Sequence, residues 1–411
     1  MRTGFTMDAA AVARLESFFN DTIGRHLQRS EQRASFATYA FGIMTDGERK
    51  SVEPMAARAC GDPEGCRAVE EQLLHFVSKS PWSDHVVRRE AARYVTTAMS
   101  EREPVTTWVV DDTGFLKQGK HSVGVQRQYT GSAGKVANCQ IGVSLTVATR
   151  TEHVPIDFEL YLPTSWADDP KQRAKARIPD GVQFKTKPEL AMELITRALD
   201  NKIPGEIVLA DSAYGDSSDF RNAVRIFGLD YGVAVHAPSR VWCLDSLNRR
   251  RGDAVGAQQL GLQLGRRAFR RVTWREATNG RKLGSNFCFR RVKVAHDDGT
   301  EAPDREALWL MMEWPDEESK PTKFVLTTLP RRMNKKQIVR IVKERWRTER
   351  AYEELKGELG LDHFEGRSFP GWHHHVSVVL CCYAFIVSER VRRFPPSARR
   401  LRRTCPVSRA A

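Results

Sequence analysis

Four acidic residues stand where carboxylates could do chemistry. Asp111 and Asp112 end a β-rich run, Asp211 ends a short apolar run, and Glu349 lies in a segment with a helical pattern. If the fold brings them together, their oxygens make a site that suits Mg²⁺ or Mn²⁺, hard ions that also accept phosphate oxygens. Two such ions about 3.5–4 Å apart can activate a water or a 3′-hydroxyl for in-line phosphoryl displacement. The residue types therefore point to metal-dependent cleavage or transfer of phosphodiesters.

Each acid also has an ordinary structural interpretation. An aspartate at the end of a strand commonly starts a turn or caps a helix, so Asp211 alone is weak evidence. Asp111 and Asp112 are adjacent, and adjacent side chains of a strand point to opposite faces. At most one of the two is therefore well placed for a shared site.

Glu349 is predicted to lie on one long helix over residues 335–359. Asn334 has the pattern of an N-cap with a capping-box partner in Gln337, and Gly360 supplies a helix stop. We expect this helix to organise the rest of the chain, because it would deliver Glu349 to the aspartates that two strands of the predicted sheet carry.

Charges interrupt the apolar face of this predicted helix. At about 100° per residue, Arg345, Glu349 and Lys356 fall on the same stripe as the apolar residues. Buried charges are costly unless they are paired or bind a metal or an ionic ligand. Two interpretations stay open: a structural ion network, or a metal-binding Glu349 flanked by Arg345 and Lys356 as phosphate-binding cations.

The overall charge indicates a polyanionic partner. The 411 residues include 65 Lys and Arg against 51 Asp and Glu, a net charge of +14. The excess is concentrated in arginine groups at residues 249–251, 266–271 and 290–291 and in the tail from 390 to 409. This distribution favours salt-sensitive nucleic-acid binding. The alternative is a solvated surface with a basic tail.

Nothing in the sequence favours a membrane protein or a metal-thiolate protein. The longest apolar run, residues 376–387, is too short to span a bilayer, and the start does not resemble a signal peptide. The eight cysteines lack zinc-ligand spacing, and three consecutive histidines at 373–375 would point about 100° apart on a helix. We expect a cytoplasmic protein with no membrane partner.

The order of predicted elements indicates an α/β fold. Residues 1–100 have helical patterns, and residues 101–237 give strands near 105–110, 138–147, 155–162, 207–210 and 231–235, with helices near 187–201 and 218–227. Residues 238–322 form a basic, β-leaning insertion with Trp274, Trp309 and Trp314. Residues 323–390 complete the core, beginning with a strand at 324–329, and residues 391–411 form a basic tail.

Three motifs, taken together and in order, resemble a known family. They are Trp-Val-Val-Asp-Asp-Thr-Gly at 108–114, Leu-Ala-Asp-Ser-Ala-Tyr-Gly at 209–215, and Arg345-Trp346 followed by Glu349 and Lys356. They look like the motifs of the DDE-type transposases of bacterial insertion sequences, in the branch with a Tyr-Arg-Glu-Lys signature. Val342 stands where that branch has its tyrosine.

The resemblance covers roughly residues 30–395 and implies a ribonuclease-H-like mixed-sheet core, a β insertion before the glutamate helix, and a helical N-terminal domain. It implies that Asp112, Asp211 and Glu349 are catalytic and hold Mg²⁺ or Mn²⁺, with Asp111 as the alternative to Asp112. It further implies cleavage of double-stranded DNA at element ends, strand transfer into target DNA, and a homodimer or higher complex.

Two other functions stay open at this point. One is a DNA-binding remnant that has lost catalysis or has been domesticated. The other is an endonuclease of the same core fold that cuts DNA without joining strands. Tryptophans of the insertion could stack on an unpaired base, or they could serve core packing alone.

Overall fold

The computed structural model describes residues 8–60, 63–276, 280, 282–295 and 306–393. Most of the predicted basic tail, residues 394–411, therefore lies outside the described residues. Within them, helices precede the first strand as the sequence predicts: α1 (Ala9–Ser17), α2 (Ser30–Met44), α3 (Val52–Ala59), α4 (Pro63–Ser78) and α5 (Asp84–Ser100). A π-helical turn (Phe18–Ile23) and a 3₁₀ turn (Gly24–His26) follow α1.

The first half of the sheet begins with an antiparallel meander. Its strands are β1 (Thr107–Leu116), β2 (Gln126–Thr130), β3 (Lys135–Ala148) and β4 (His153–Tyr161). Short helices α6 (Thr164–Ala167) and α7 (Pro170–Ala176) lead to α8 (Lys187–Asp200), which Thr186 and Glu189 cap reciprocally. The chain then alternates through β5 (Ile207–Ala210), α9 (Ser212–Gly215), α10 (Ser218–Ile226) and β6 (Asp230–Val235). The predicted strands and helices occur in the predicted order, and β2, α6, α7 and α9 are elements that the sequence did not predict.

Five of these strands form the part of the sheet that positions the acids. Their order is β4-β3-β1-β5-β6, in which β1, β5 and β6 pair in parallel and β3 runs antiparallel to both of its neighbours β1 and β4. The apolar runs of β1 and β5 are buried on both faces, as parallel strands require.

The predicted insertion extends this same sheet. It contains β7 (Arg240–Leu244), β8 (Arg250–Gly256), α11 (Ala257–Leu264), β9 (Arg270–Glu276), β10 (Lys282–Val294) and β11 (Leu308–Trp314), followed by β12 (Lys323–Thr327). β12 pairs with β6 on one side and with β11 on the other, so the sheet has 12 strands among the described residues. The basic β-leaning segment is thus a continuation of the core sheet through hydrogen-bonded neighbours.

The predicted long helix is two helices, which corrects the sequence interpretation. α12 (Lys335–Lys343) begins at Asn334, whose side chain accepts from the Lys336 N–H at 2.9 Å. The chain then turns at Glu344, and α13 (Trp346–Gly357) begins after Arg345. Gly360 adopts a φ of +66° just beyond α13, as a helix stop requires.

The last described helix, α14 (Phe369–Arg393), is the core of the helical layer. It packs against α5, α2, α4 and β4. By length and composition it could cross a membrane, but 89% of its apolar window is buried inside the protein, as in a core helix. The three histidines bond to different partners: His373 to Glu159, His374 to the carbonyls of Val77 and Trp82, and His375 to Tyr39. The three side chains thus have three separate sets of partners.

Candidate active site

Strand register places two aspartates side by side just beyond the parallel pairing of β1 with β5. β1 and β5 pair with Val109 opposite Leu209, and two residues further each strand reaches an aspartate, Asp111 and Asp211. Because side chains alternate along a strand, Asp111 and Asp211 share the face on which Val109 and Leu209 pack against α12. Ligand sites of open α/β sheets collect at the carboxyl ends of parallel strands.

Asp111 is the most deeply buried of the four acids. Its exposed fraction is 7%, and its Oδ2 receives Arg345 Nη1 at 2.8 Å. Burial raises the pKa of Asp111 to about 7, with the nearby Asp211 charge adding to the shift and Arg345 opposing it. The carboxyl group therefore sits where a further positive charge would stabilise its ionised form.

Asp211 adopts extended backbone and caps α9, accepting a hydrogen bond from the Ala213 N–H at 2.9 Å. Burial raises its pKa as well, Arg345 opposes that shift, and the Asp112 carboxylate adds to it. Three aspartates thus lie within electrostatic reach of one another. Such mutual repulsion of carboxylates is typical of sites that bind cations.

Asp112 faces the other side of β1. Its Oδ2 pairs with Lys187 Nζ at 3.0 Å and accepts a hydrogen bond from the Tyr214 hydroxyl at 3.4 Å. Sequence reasoning missed both partners. Tyr214 lies inside the motif that drew attention to Asp211, whereas Lys187 is a first-turn residue of α8 with no distinguishing local pattern.

Arg345 joins the acids to α13. Its Nη1 contacts Asp111, and its Nη2 lies 3.4 Å from Glu349 Oε1. The Glu349 side chain is 62% exposed, so it projects from the helix with freedom to reorient. Arg345 and Glu349 are therefore neighbours, as the sequence predicts, and the Arg345 guanidinium bridges the carboxylates of Asp111 and Glu349.

Lys356 lies on α13, as Glu349 does, but it has different partners. Its Nζ donates to Thr113 Oγ1 at 2.8 Å, to the Gly114 carbonyl at 2.7 Å and to Ser132 Oγ at 3.1 Å. Burial lowers its pKa. The ammonium therefore connects β1 to the turn between β2 and β3. This structural role differs from the phosphate-binding role that the sequence suggested for Lys356.

No three acidic, histidine or cysteine side chains of the described residues lie close enough together to hold a metal ion. The donor chemistry nevertheless fits a hard divalent cation, since Asp111 and Asp211 are carboxylates whose pKa values are raised by burial, with the charges of neighbouring aspartates adding to both shifts. Glu349 lies 3.4 Å from Arg345. Asp111 and Asp211, which share one face, are therefore the carboxylates that fit such an ion first.

Other residues of the signature have packing roles. Val342, at the tyrosine position, packs partly buried against the sheet with Ile338 and Val339 nearby on α12.

The three tryptophans of the insertion make cation–π contacts: Lys343 Nζ lies 4.6 Å from the Trp274 ring centre, Lys335 Nζ 3.1 Å from that of Trp309, and the Arg266 guanidinium carbon 5.3 Å from that of Trp314.

Comparison with known proteins agrees with this arrangement. A family model described as DDE superfamily endonuclease matches residues 23–281, and a second, described as transposase DDE domain, matches residues 182–385. A curated relative, a probable transposase for insertion sequence element IS701 from Microchaete diplosiphon, is 28% identical over 197 residues. That match covers 48% of this chain and 47% of the relative, so the chain spans about half the length of the curated relative it matches. With both motif aspartates inside the first matched region, the chain belongs to the DDE superfamily of endonucleases.

Proposed function

We propose that this protein is a DNA transposase that cleaves DNA at the ends of a mobile element and transfers the strands into target DNA. The observation that carries the proposal is the pair of Asp111, in the middle of β1, and Asp211, directly after β5, bridged through Arg345 to Glu349. The two family descriptions and the IS701 relative support the same activity.

A ribonuclease-H-like core is part of this proposal. The sheet order β4-β3-β1-β5-β6, with β3 antiparallel to its neighbours, supports it. In that core β1 and β5 lie at the centre, so their two carboxylates stay fixed while a helix supplies the third. The helices before β1 would form the N-terminal domain, at residues 1–100.

Mg²⁺ or Mn²⁺, as two ions, is the cofactor we propose. Asp111, Asp211 and Glu349 would hold it, with Asp112 as the alternative first acid. The order of preference between Asp111 and Asp112 is the reverse of the sequence expectation, because Asp111 shares a face with Asp211 and α13 whereas Asp112 points to α8. Bound metal would supply activation of a hydroxyl and neutralisation of phosphate charge.

The protein's own residues would orient the substrate. Arg345, one-third exposed and already at the acids, can place a scissile phosphate through its two-pronged guanidinium. Lys187 is similarly placed on the Asp112 side, and its side chain is 27% exposed. Lys356, which the sequence assigns to phosphate, would instead hold the strand end that carries Asp111 and Asp112.

Double-stranded DNA is the partner we propose, engaged by a homodimer or a larger assembly in the cytoplasm, without a membrane. Two alternative functions are the other possible outcomes of the test of this proposal. A remnant would bind DNA without cutting it, and a simple endonuclease would cut without joining.

The test uses the full chain, Mg²⁺, and a labelled duplex that carries the inverted repeats flanking its gene. We expect cleavage at the repeat boundary and joining to a target plasmid. Asp211→Asn should abolish both products and leave DNA binding unchanged. Comparing Asp111→Asn with Asp112→Asn identifies the first acid, since only that variant should match the loss in Asp211→Asn. Binding without any cleavage by the wild-type protein would contradict the proposal.

A further inference from the structure

Three cations converge at the start of α12, away from the acids. They are Arg291 on β10, Arg331 in the connection after β12, and Lys335 in the first turn of α12; we call them the α12 cation cluster. Burial lowers the pKa of Lys335 to about 8, with Arg291 and Arg331 adding to the shift. The pKa of Arg291 is also lowered, by burial and by Arg331.

No carboxylate of the described residues forms an ion pair with this cluster. The acid nearest in its electrostatic effect is Glu306, and its two oxygens are engaged by Arg225 at 3.0 and 3.2 Å. Elsewhere on the extended sheet exposed arginines do have acids, as Arg271 has Asp316 at 2.5 Å and Arg249 has Asp245 at 2.8 Å. Like charges without a counterion among the described residues are destabilising, so a bound anion would stabilise this cluster.

An aromatic platform fixes the cluster in place. Lys335 Nζ lies 3.1 Å from the centre of the Trp309 ring, and the Arg291 guanidinium carbon lies 5.1 Å from it. Arg291 and Trp309 are direct partners across the β10–β11 pair, which explains why both reach the same spot. Cation–π contacts orient charges without neutralising them. With its ring covered by Lys335, Trp309 serves as a support for cations.

The cluster lies on the same face of the sheet as Asp111. Arg291, Trp309 and Thr327 occupy one row across β10, β11 and β12, and this face is covered by α12, whose Ile338 packs on Val109 of β1. α12 runs from Lys335 to Lys343, eight residues later, about 12 Å at about 1.5 Å per residue, and Arg345 follows two residues after that, so the separation of Lys335 from Arg345 is at most about 15 Å. One continuous face thus joins the cluster to the candidate active site.

We propose that the α12 cation cluster is a binding site for backbone phosphates of duplex DNA, about four base pairs from the phosphate that is cut. The spacing follows from the separation of about 15 Å and a rise of about 3.4 Å per base pair. The distance to the scissile phosphate rests on the proposed function, because only a DNA-cleaving enzyme has such a phosphate. The binding of duplex phosphates to the cluster does not depend on catalysis. Backbone contacts of this kind set register and orientation without reading bases.

The experiment measures binding of the full chain to a fluorescein-labelled 20-base-pair duplex in EDTA, by anisotropy, over a series of salt concentrations. The variant Arg331→Gln with Lys335→Met removes two charges and retains the stem of the lysine over Trp309. Its control, Arg332→Gln with Lys336→Met, removes two exposed charges from the adjacent positions. Circular dichroism melting of both variants verifies folding.

We expect the cluster variant to reduce the slope of log K against log salt by about 1.8, which is about 0.9 for each lost phosphate contact. The control should change it by less than half of that. Ethylation interference on a cleavable end should place the lost contacts about four base pairs from the cut. Equal slope changes in the two variants would overturn the proposal, because they would show only a general positive field.

The two proposals fail separately in this design. If the wild-type protein does not cleave in Mg²⁺ but the cluster variant loses slope, the transposase function fails and the phosphate site stands. If the wild-type protein cleaves and the cluster variant binds as the wild type does, the phosphate site alone is refuted. Retained melting temperature in the cluster variant is expected, since the removed charges repel each other.

Discussion

Lys356→Met separates a structural lysine from a phosphate-binding one. The substitution keeps an unbranched side chain of similar length and removes the ammonium that bonds to Thr113 Oγ1, Ser132 Oγ and the Gly114 carbonyl. These contacts lie directly beyond Asp111 and Asp112. Losing them should loosen the strand end that carries both acids.

The magnitude follows from the three bonds. At about 1 kcal/mol net for each, the loss amounts to about 3 kcal/mol. Two effects reduce it: the Thr113 and Ser132 hydroxyls already lie 3.2 Å apart and can bond to each other, and a buried charge is removed. We expect a destabilisation of about 2 kcal/mol, or a fall in Tm of about 2 °C for a chain of 411 residues.

The assay is differential scanning calorimetry together with the salt dependence of duplex binding. Lys171→Met, at an exposed position of α7, is the control for loss of a lysine charge. If Lys356 is structural, Lys356→Met lowers Tm and leaves the slope of log K against log salt unchanged. An unchanged Tm with a slope reduced by about 0.9 would refute the structural role and restore the phosphate-binding interpretation.

Three further predictions concern the scaffold and the cofactor. Gly215→Ala should lower both Tm and cleavage, because the added Cβ would lie 1.9 Å from the Ala234 carbonyl oxygen and displace the helix that Asp211 caps; full activity by gel assay would contradict this. Arg88→Met should destabilise the fold by about 3–5 kcal/mol in urea, since Arg88 is 2% exposed and pairs with several carboxylates, among them Asp84 at 2.9 Å. Burial opposes ionisation of Asp84 and Glu159, yet the surrounding cations hold the pKa values of both carboxyl groups below their ordinary range. The Tm of the wild-type protein should therefore fall as the pH drops below about 4.5, and the Tm of Arg88→Met should fall less steeply. Ca²⁺ in place of Mg²⁺ should permit assembly on DNA without turnover, and rapid cleavage in Ca²⁺ would contradict the two-ion mechanism.

Local patterns predicted most of the elements that position the acids. The apolar run before Asp211 became β5, the amphipathic segment after residue 186 became α8, and Asn334 capped α12 as its side chain allows. These features depend on hydrogen bonds and side-chain spacing within a few residues, so they are encoded where they occur. Most of their bounds differ from the predicted ones by one or two residues.

The prediction of one continuous helix failed for a tertiary reason. The stripe of Arg345, Glu349 and Lys356 assumes 3.6 residues per turn throughout, whereas the chain turns at Glu344 and restarts as α13. α12 packs on β9 and β6 and, through Ile338, on Val109 of β1, while α13 packs on β4 and β1. These contacts join segments far apart in the chain, and none of them is visible in the local sequence.

By itself, the sequence determined which residue types could do chemistry, where their strands and helices lie, and the family to which the chain belongs, because motif identity and short-range periodicity are properties of neighbouring residues. The tertiary structure decided which of two adjacent aspartates faces Asp211, that Lys356 is engaged in holding β1, and that Arg291, Arg331 and Lys335 meet over Trp309. These outcomes depend on strand register and on the crossing of helices over the sheet. Both are fixed by contacts between segments far apart in the chain, through burial that no single segment can achieve alone.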